Sequence, residues 1–225
     1  EMAALEKAAA ETKEETGISF EFAAEGTVTE ITATGIGAHA STPDVGNNAL
    51  TGLLVFLGKL DFASCPQVDM VRKTASLFPH GDVNGKTLGV AMEDELSGNL
   101  TLSFNMLSVD AASMDGEFDG RIPVCGNDEN VLEVVRARMA EQGLTLLNKA
   151  LIPPHHVSAD SYFVKTLLAA FELYTGRKGE CQALGGGTYV HHLENGVAFG
   201  AAMPETDNKM HGPDEFAVLD ELVVS

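Results

Sequence analysis

Residues 35–49, Gly-Ile-Gly-Ala-His-Ala-Ser-Thr-Pro-Asp-Val-Gly-Asn-Asn-Ala, set one imidazole, His39, among three glycines and a proline. Glycine reaches backbone conformations closed to other residues, and Pro43 sets a turn or a helix start. A strand-like run, residues 27–34, leads in, and a helix-like run, residues 49–60, leads out. His39 therefore stands where α/β proteins place chemistry. Its ring can accept, donate or carry a proton near neutral pH. A surface histidine in a strand-to-helix turn has the same spacing and no chemistry. Arg121, in Asp-Gly-Arg-Ile-Pro, offers a guanidinium fork that fits a carboxylate bidentately. A solvated arginine at a strand end is the alternative.

Gly185, Gly186 and Gly187 precede Thr188 and Tyr189. Adjacent glycines let backbone N–H groups approach a ligand closely, or simply make a flexible turn. His211, in Met-His-Gly-Pro-Asp-Glu, offers an imidazole nitrogen in a loop. Two further patterns have the look of metal chemistry but a weaker claim: His80-Gly81-Asp82 and Glu93-Asp94-Glu95. The pairs His155-His156 and His191-His192 are adjacent, so on regular structure their rings point apart.

The elements that must position these residues follow from periodicity. Residues 3–15 are rich in Ala, Glu and Lys and read as a helix ended by Gly17. Residues 18–22 and 27–33 alternate as strands. Leu50, Leu53, Leu54, Leu57 and Leu60 form a helical stripe after the His39 turn. A helix is expected over 68–78, strands over 88–92, 100–109 and 114–118, a helix over 129–142 and a strand over 144–150. That order, from residue 27 to 150, is the split β-α-β pattern of a ferredoxin-like layer. Pro153 and Pro154 mark a boundary. Beyond them a helix over 160–175 and short strands over 181–184 and 197–200 are expected.

Composition limits the function classes. The chain has 225 residues, enough for one large or two small domains, and 44% hydrophobic content suits a packed core. With 33 acidic and 14 basic residues the formal net charge is −19. Such a chain repels nucleic acid and anionic membrane surfaces. No apolar run reaches the ~18 residues of a membrane span. Cys65, Cys125 and Cys181 are few, odd in number and far apart, which fits a reducing cytoplasm. No leader pattern is visible, and the opening at Glu1 without Met fits a fragment or processed piece.

The motif around His39, Gly-x-x-Ala-His-Ala-Ser-x-Pro-x-x-Gly-x-Asn-Ala, resembles the lid-domain motif of the zinc dipeptidase and aminoacylase family, which includes carnosinase-type metallopeptidases. The nearest group is the PepV-like bacterial dipeptidases. The Gly-Gly-Gly-Thr-Tyr run and the later His-x-x-x-Glu segment resemble the same group. The resemblance implies roles. His39 would stabilise the oxyanion formed when a zinc-activated water attacks the scissile carbonyl. Arg121 would clamp the C-terminal carboxylate of a dipeptide. Gly186, Gly187 and Thr188 would hold the substrate backbone, and His211 would bind zinc, two ions serving the complete site.

The resemblance also implies an α+β chain: a ferredoxin-like lid over residues 1–152 and part of an α/β catalytic domain over 153–225. The family's N-terminal half, with its His-x-Asp, bridging Asp and Glu-Glu pair, has no counterpart here. In that half lie the general base and most metal ligands. The expectation is that this chain alone is inactive and holds little or no zinc. It would then associate with an N-terminal half or with itself. A non-catalytic lid or association module is the second reading, and a deacylase of N-acyl amino acids the third.

Overall fold

The computed structural model describes residues 2–200, 203, 205–210 and 214–224. The chain divides into two compact units, Glu1–Pro154 and His155–Ser225. The first opens with helix α1 (Met2–Thr16), which Gly17 ends at φ 75°. Strands β1 (Ser19–Glu25) and β2 (Val28–Thr34) then form an antiparallel hairpin, with Phe20 opposite Ala33. Helices α2 (Ala49–Gly58) and α3 (Pro66–Leu77) follow. A minimal hairpin, β3 (Glu93–Asp94) and β4 (Gly98–Asn99), leads to a long one, β5 (Thr101–Val109) and β6 (Met114–Arg121). A π-helical turn (Asp128–Leu132), closed by an Asn127–Asn130 capping box, leads into α4 (Glu133–Glu141). The described fold is therefore mixed α+β.

Helix α2 is the shared wall of this unit. Leu54 joins a core of Leu77, Phe78, Leu88, Val90, Leu100, Leu102, Phe104, Val131 and Val135. Phe56 turns to β1 and stacks on Phe20 at 4.7 Å. Phe78 stacks on Phe104 at 4.5 Å and meets Phe118 at 5.3 Å. Successive residues of a strand point to opposite faces. Leu102 and Phe104 of β5 enter the core, while Thr101 and Ser103 face away from it. On β6 the same rule puts Asp119 and Arg121 on the outer face, opposite Ser103 and Thr101. The ladder slips by one residue between Phe104 and Met106. The residue between them, Asn105, is the added member of a bulge.

The described strands pair as three separate two-stranded antiparallel sheets. Several expected strands do not form, each for a local reason. In residues 88–92, Gly89 takes φ 82°, and Gly89 N donates to Lys86 O and Val90 N to Gly85 O. Those turns reverse the chain while still burying Leu88 and Val90. Residues 144–150 do alternate in burial at first, Leu144 and Leu146 packing on the core, but they pair with no neighbour in a sheet. Alternation reports one buried side, not a ladder. Residues 181–184 are exposed, and neither they nor 197–200 are strands. Helix α3 starts two residues earlier than its apolar stripe, because Pro66 suits a first helical turn.

The turn carrying His39 is a closed loop. Ile36 N donates to Asn47 O at 2.9 Å, and Asn47 N returns a bond to Ile36 O at 2.7 Å. Its two arms touch where the glycines lie. A Cβ on Gly35 would fall on the Asn47 carbonyl oxygen, and one on Gly46 would lie 2.6 Å from the Ala38 Cβ. Close approach, rather than an unusual φ, thus explains these two residues.

The second unit contains α5 (Tyr162–Thr175) and α6 (Leu219–Val224). Ser161 caps α5 by accepting from Val164 N at 3.2 Å, and Gly176 ends it at φ 67°. His155 Nε2 donates to Gly196 O at 2.7 Å, tying the start of the unit to the end of a later turn. Glu221 accepts from Met203 N at 3.1 Å and from Thr206 Oγ1 at 2.5 Å. The buried apolar residues among those described are Val164 and Met203.

Gly35→Ala should destabilise the first unit by about 1–3 kcal/mol, the usual cost of overpacking a tight site. Gly37→Ala, where a Cβ meets nothing within 4 Å, should leave stability nearly unchanged. Urea unfolding of both variants checks this; equal midpoints would contradict the closed-loop account.

Candidate functional site

The site is built on the outer face of β5 and β6. The first half of the turn supplies His39, which is half-buried. Ser41 N donates to His39 Nδ1 at 3.2 Å, and Ser41 Oγ lies 2.7 Å from the same nitrogen. A backbone N–H can only donate, so Nδ1 is the acceptor. In the neutral ring the proton then sits on Nε2, which makes that nitrogen a donor. The local sequence explains this geometry. Thr42 N donates to His39 O at 2.9 Å, and Pro43 starts a 3₁₀ turn (Pro43–Val45) that carries the chain back to Asn47.

Two bonds strap the turn to β5. Thr101 Oγ1 donates to Ala40 O at 2.8 Å on the His39 side. Asn48 Nδ2 donates to Phe104 O at 2.8 Å on the far side. Asn48 also caps α2, its Oδ1 accepting from Thr51 N at 3.0 Å. A third tie, Asn47 Nδ2 to Thr16 O at 2.8 Å, fixes the turn to the end of α1.

Arg121 lies at the end of β6, directly opposite Thr101 in the ladder. Directly opposed side chains share a face. Thr101 therefore touches the His39 turn with its hydroxyl and stands beside Arg121. The guanidinium is engaged by Asp119: Nη2 donates to Oδ2 at 2.7 Å, and Nε lies 2.7 Å from Oδ1. The Nε contact is an ion pair by distance but lacks the angle of a hydrogen bond. Both side chains are about one third exposed, so solvent screens the pair and it adds little stability. It does orient the fork. With the Nε–Nη2 edge on Asp119, the Nη1–Nη2 end is the edge that can take a second carboxylate.

Gly186, Gly187 and Thr188 belong to the second unit and are exposed. A Cβ on Gly186 or Gly187 would meet nothing within 4 Å. Thr188 stands at the start of the 3₁₀ turn Tyr189–His192, its carbonyl accepting from His191 N at 3.1 Å. His211 lies outside the described residues. The His155 and His191 rings sit 5.6 Å apart in the same unit, and His191 and His192 6.0 Å apart.

The weaker metal patterns have structural work. His80 Nδ1 lies 2.9 Å from Thr51 Oγ1, and its ring bonds the Thr16 backbone. Burial lowers its pKa below 6.5, against the opposing pull of Thr16 and Glu15. Burial acts to raise the pKa of Asp82, but backbone and side-chain bonds from Thr87, with those from Lys86 and Asn84, lower it overall. Asp94 Oδ1 accepts from Leu96 N at 2.7 Å in a turn. Among the described residues no group of three or more His, Cys, Asp or Glu gathers where one ion could be held. No helix among them is long and apolar enough to cross a membrane.

Sequence reasoning singled out His39 and Arg121 but not Thr101 and Asp119, which the structure places beside them. Asp119 carried a signal, standing two residues before Arg121 on the same strand face. Thr101 carried none, since its partner, Ala40, is 61 residues away.

The chain is similar to proteins named dipeptidases. It is 34% identical to a "Beta-Ala-Xaa dipeptidase" of Lactobacillus delbrueckii subsp. lactis, over 87% of this chain and 41% of that protein. It is 36% identical to "Putative dipeptidase YtjP" of Bacillus subtilis, over 85% of this chain and 40% of that protein. A "Putative dipeptidase" of Staphylococcus epidermidis is 29% identical over 86% of this chain and 41% of its own length. The chain thus spans about two fifths of the length of the curated relatives it matches. No family model matches it.

The lowered pKa of His80 has a pH consequence. The folded state disfavours the charged ring, so the unfolded chain takes up the proton first as pH falls. The stability this contributes is full above 6.5 and is lost as pH falls toward the folded value. Melting temperature should drop more steeply for wild type than for His80→Gln between about pH 7.5 and about pH 5.5. Parallel curves would refute the assignment.

Proposed function

We propose that the chain serves the hydrolysis of dipeptides, His39 and Arg121 gripping one substrate at two points. One observation carries this reading: Thr101 bonds the His39 turn and stands opposite Arg121 on the face of β5 and β6 turned away from the core. The similarity to proteins named dipeptidases supports it.

The chemistry follows from the two side chains. In the neutral ring His39 Nε2–H is a donor, suited to an oxygen that gains negative charge as a peptide carbonyl is attacked. Arg121 offers its Nη1–Nη2 end to the C-terminal carboxylate. The grip fixes the peptide's orientation before reaction, a large part of what positioning contributes to catalysis.

The finer reading is a PepV-like zinc metallodipeptidase of the cytoplasm. The unit Glu1–Pro154 would act as its ferredoxin-like lid. The second unit would supply Gly186, Gly187 and Thr188 to the substrate backbone and His211 to zinc. Among the described residues no group of three or more His, Cys, Asp or Glu gathers where one ion could be held, and His211 lies outside those residues.

The test is titration of the chain with β-alanyl-glycine, its C-terminal amide and N-acetylglycine, with cleavage followed on the same samples supplied with zinc. The dipeptide should bind about tenfold or more tightly than the amide, since a charge-assisted bond is lost in the latter. Arg121→Lys should remove most of that preference. Where turnover is present, His39→Ala should lower kcat about 10²–10³-fold. Equal binding of acid and amide would refute the carboxylate clamp. Preferential cleavage of N-acetylglycine would make the protein a deacylase.

A further inference from the structure

We infer that Thr101 is a positioning residue that sets the span between His39 and Arg121, and with it the length of substrate the two can hold at once. The inference rests on the proposed two-point grip.

The argument begins with the tether. The Thr101 hydroxyl donates to Ala40 O, the carbonyl next to His39 in the chain, at 2.8 Å. The backbone of Thr101 is paired with that of Arg121. A single residue therefore reaches the turn through its side chain and the clamp strand through its main chain. The other strap, Asn48 to Phe104, lies three residues further along β5 and at the far end of the turn. It anchors the start of α2, and the Thr101 bond lies on the His39 arm. The bond between Ile36 and Asn47 closes the turn on itself but does not join it to β5. Without the Thr101 hydroxyl the turn would stay closed and tied at Asn48, while the His39 arm would lose its hydrogen bond to the strand that carries the clamp partner. The fold should therefore survive the loss, and the spacing should not.

The span matters because the two ends of the grip lie on one small molecule. In a dipeptide the scissile carbonyl and the terminal carboxylate are one residue apart. An error of about 1 Å in such an arrangement can cost up to about 10²-fold.

Thr101→Val keeps the shape and removes the donor; Thr101→Ser keeps the donor. Two measurements are made on the full chain. Hydrogen exchange of the His39-arm amides, Ser41 and Thr42, reports the tether. Titration with β-alanyl-glycine reports the grip. In Thr101→Val the amides should exchange several-fold faster and binding should weaken about tenfold, with Thr101→Ser close to wild type in both. Unchanged exchange in Thr101→Val overturns the tether. Faster exchange with unchanged binding makes Thr101 a purely structural residue and overturns the inference, leaving the proposed function standing. A wild-type chain that shows the tether but binds no dipeptide overturns the proposed function and this inference with it.

Discussion

A strand that buries one face must leave the other for something else, and β5 shows both halves of that constraint. Leu102 and Phe104 are held in the core by α2, α3 and α4. Thr101 and Ser103 are turned outward by the same alternation. The register with β6 then settles where Arg121 and Asp119 stand. A slip of one residue would exchange the two faces and send Arg121 inward. The bulge at Asn105 lies beyond Phe104, so the register between Thr101 and Arg121 is unaffected by it. The stacked rings of Phe78 and Phe104 thus hold the site indirectly, by keeping the inner face of β5 in place.

Electrostatics sharpens the case for Arg121. A chain with a net charge of −19 repels an anionic peptide at long range. That repulsion is screened beyond about 8–10 Å at ordinary ionic strength. Under the proposed grip, one oriented guanidinium close to the surface would decide the outcome. Asp119 fixes its orientation and also cancels part of its charge, so the fork would select by shape more than by field. A lysine in its place would carry the same charge without the planar end.

Much of the fold was legible because its helices and hairpins announce themselves locally. The helices at Met2–Thr16, Ala49–Gly58 and Tyr162–Thr175 and the hairpin at Ser19–Thr34 follow periodicity closely. The strands expected at 88–92 and 144–150 did not, because buried alternation looks the same with or without a neighbouring strand. The candidate site could be proposed from sequence where a motif is contiguous, as around His39. It was not legible where two distant segments meet. Thr101 and Ala40 have no pattern in common, and only the folded chain shows that one donates to the other. His211, the residue expected to bind zinc, lies outside the described residues.

A two-point grip also offers a physical reason for preferring short peptides without any shaped pocket. Each added residue lengthens an extended peptide by about 3.3–3.6 Å. If His39 holds the first carbonyl, the carboxylate of a tripeptide lies that much further along the strand face. A guanidinium anchored on Asp119 cannot follow it and keep both bonds. The selecting element would then be the rigidity of the link between the two groups, which falls to the straps on the turn and to the β5–β6 ladder. Side-chain identity at the substrate's ends enters only through whatever else touches it. On this view length and terminal charge are read first and side chains second, so substrates that differ in their side chains could share one site.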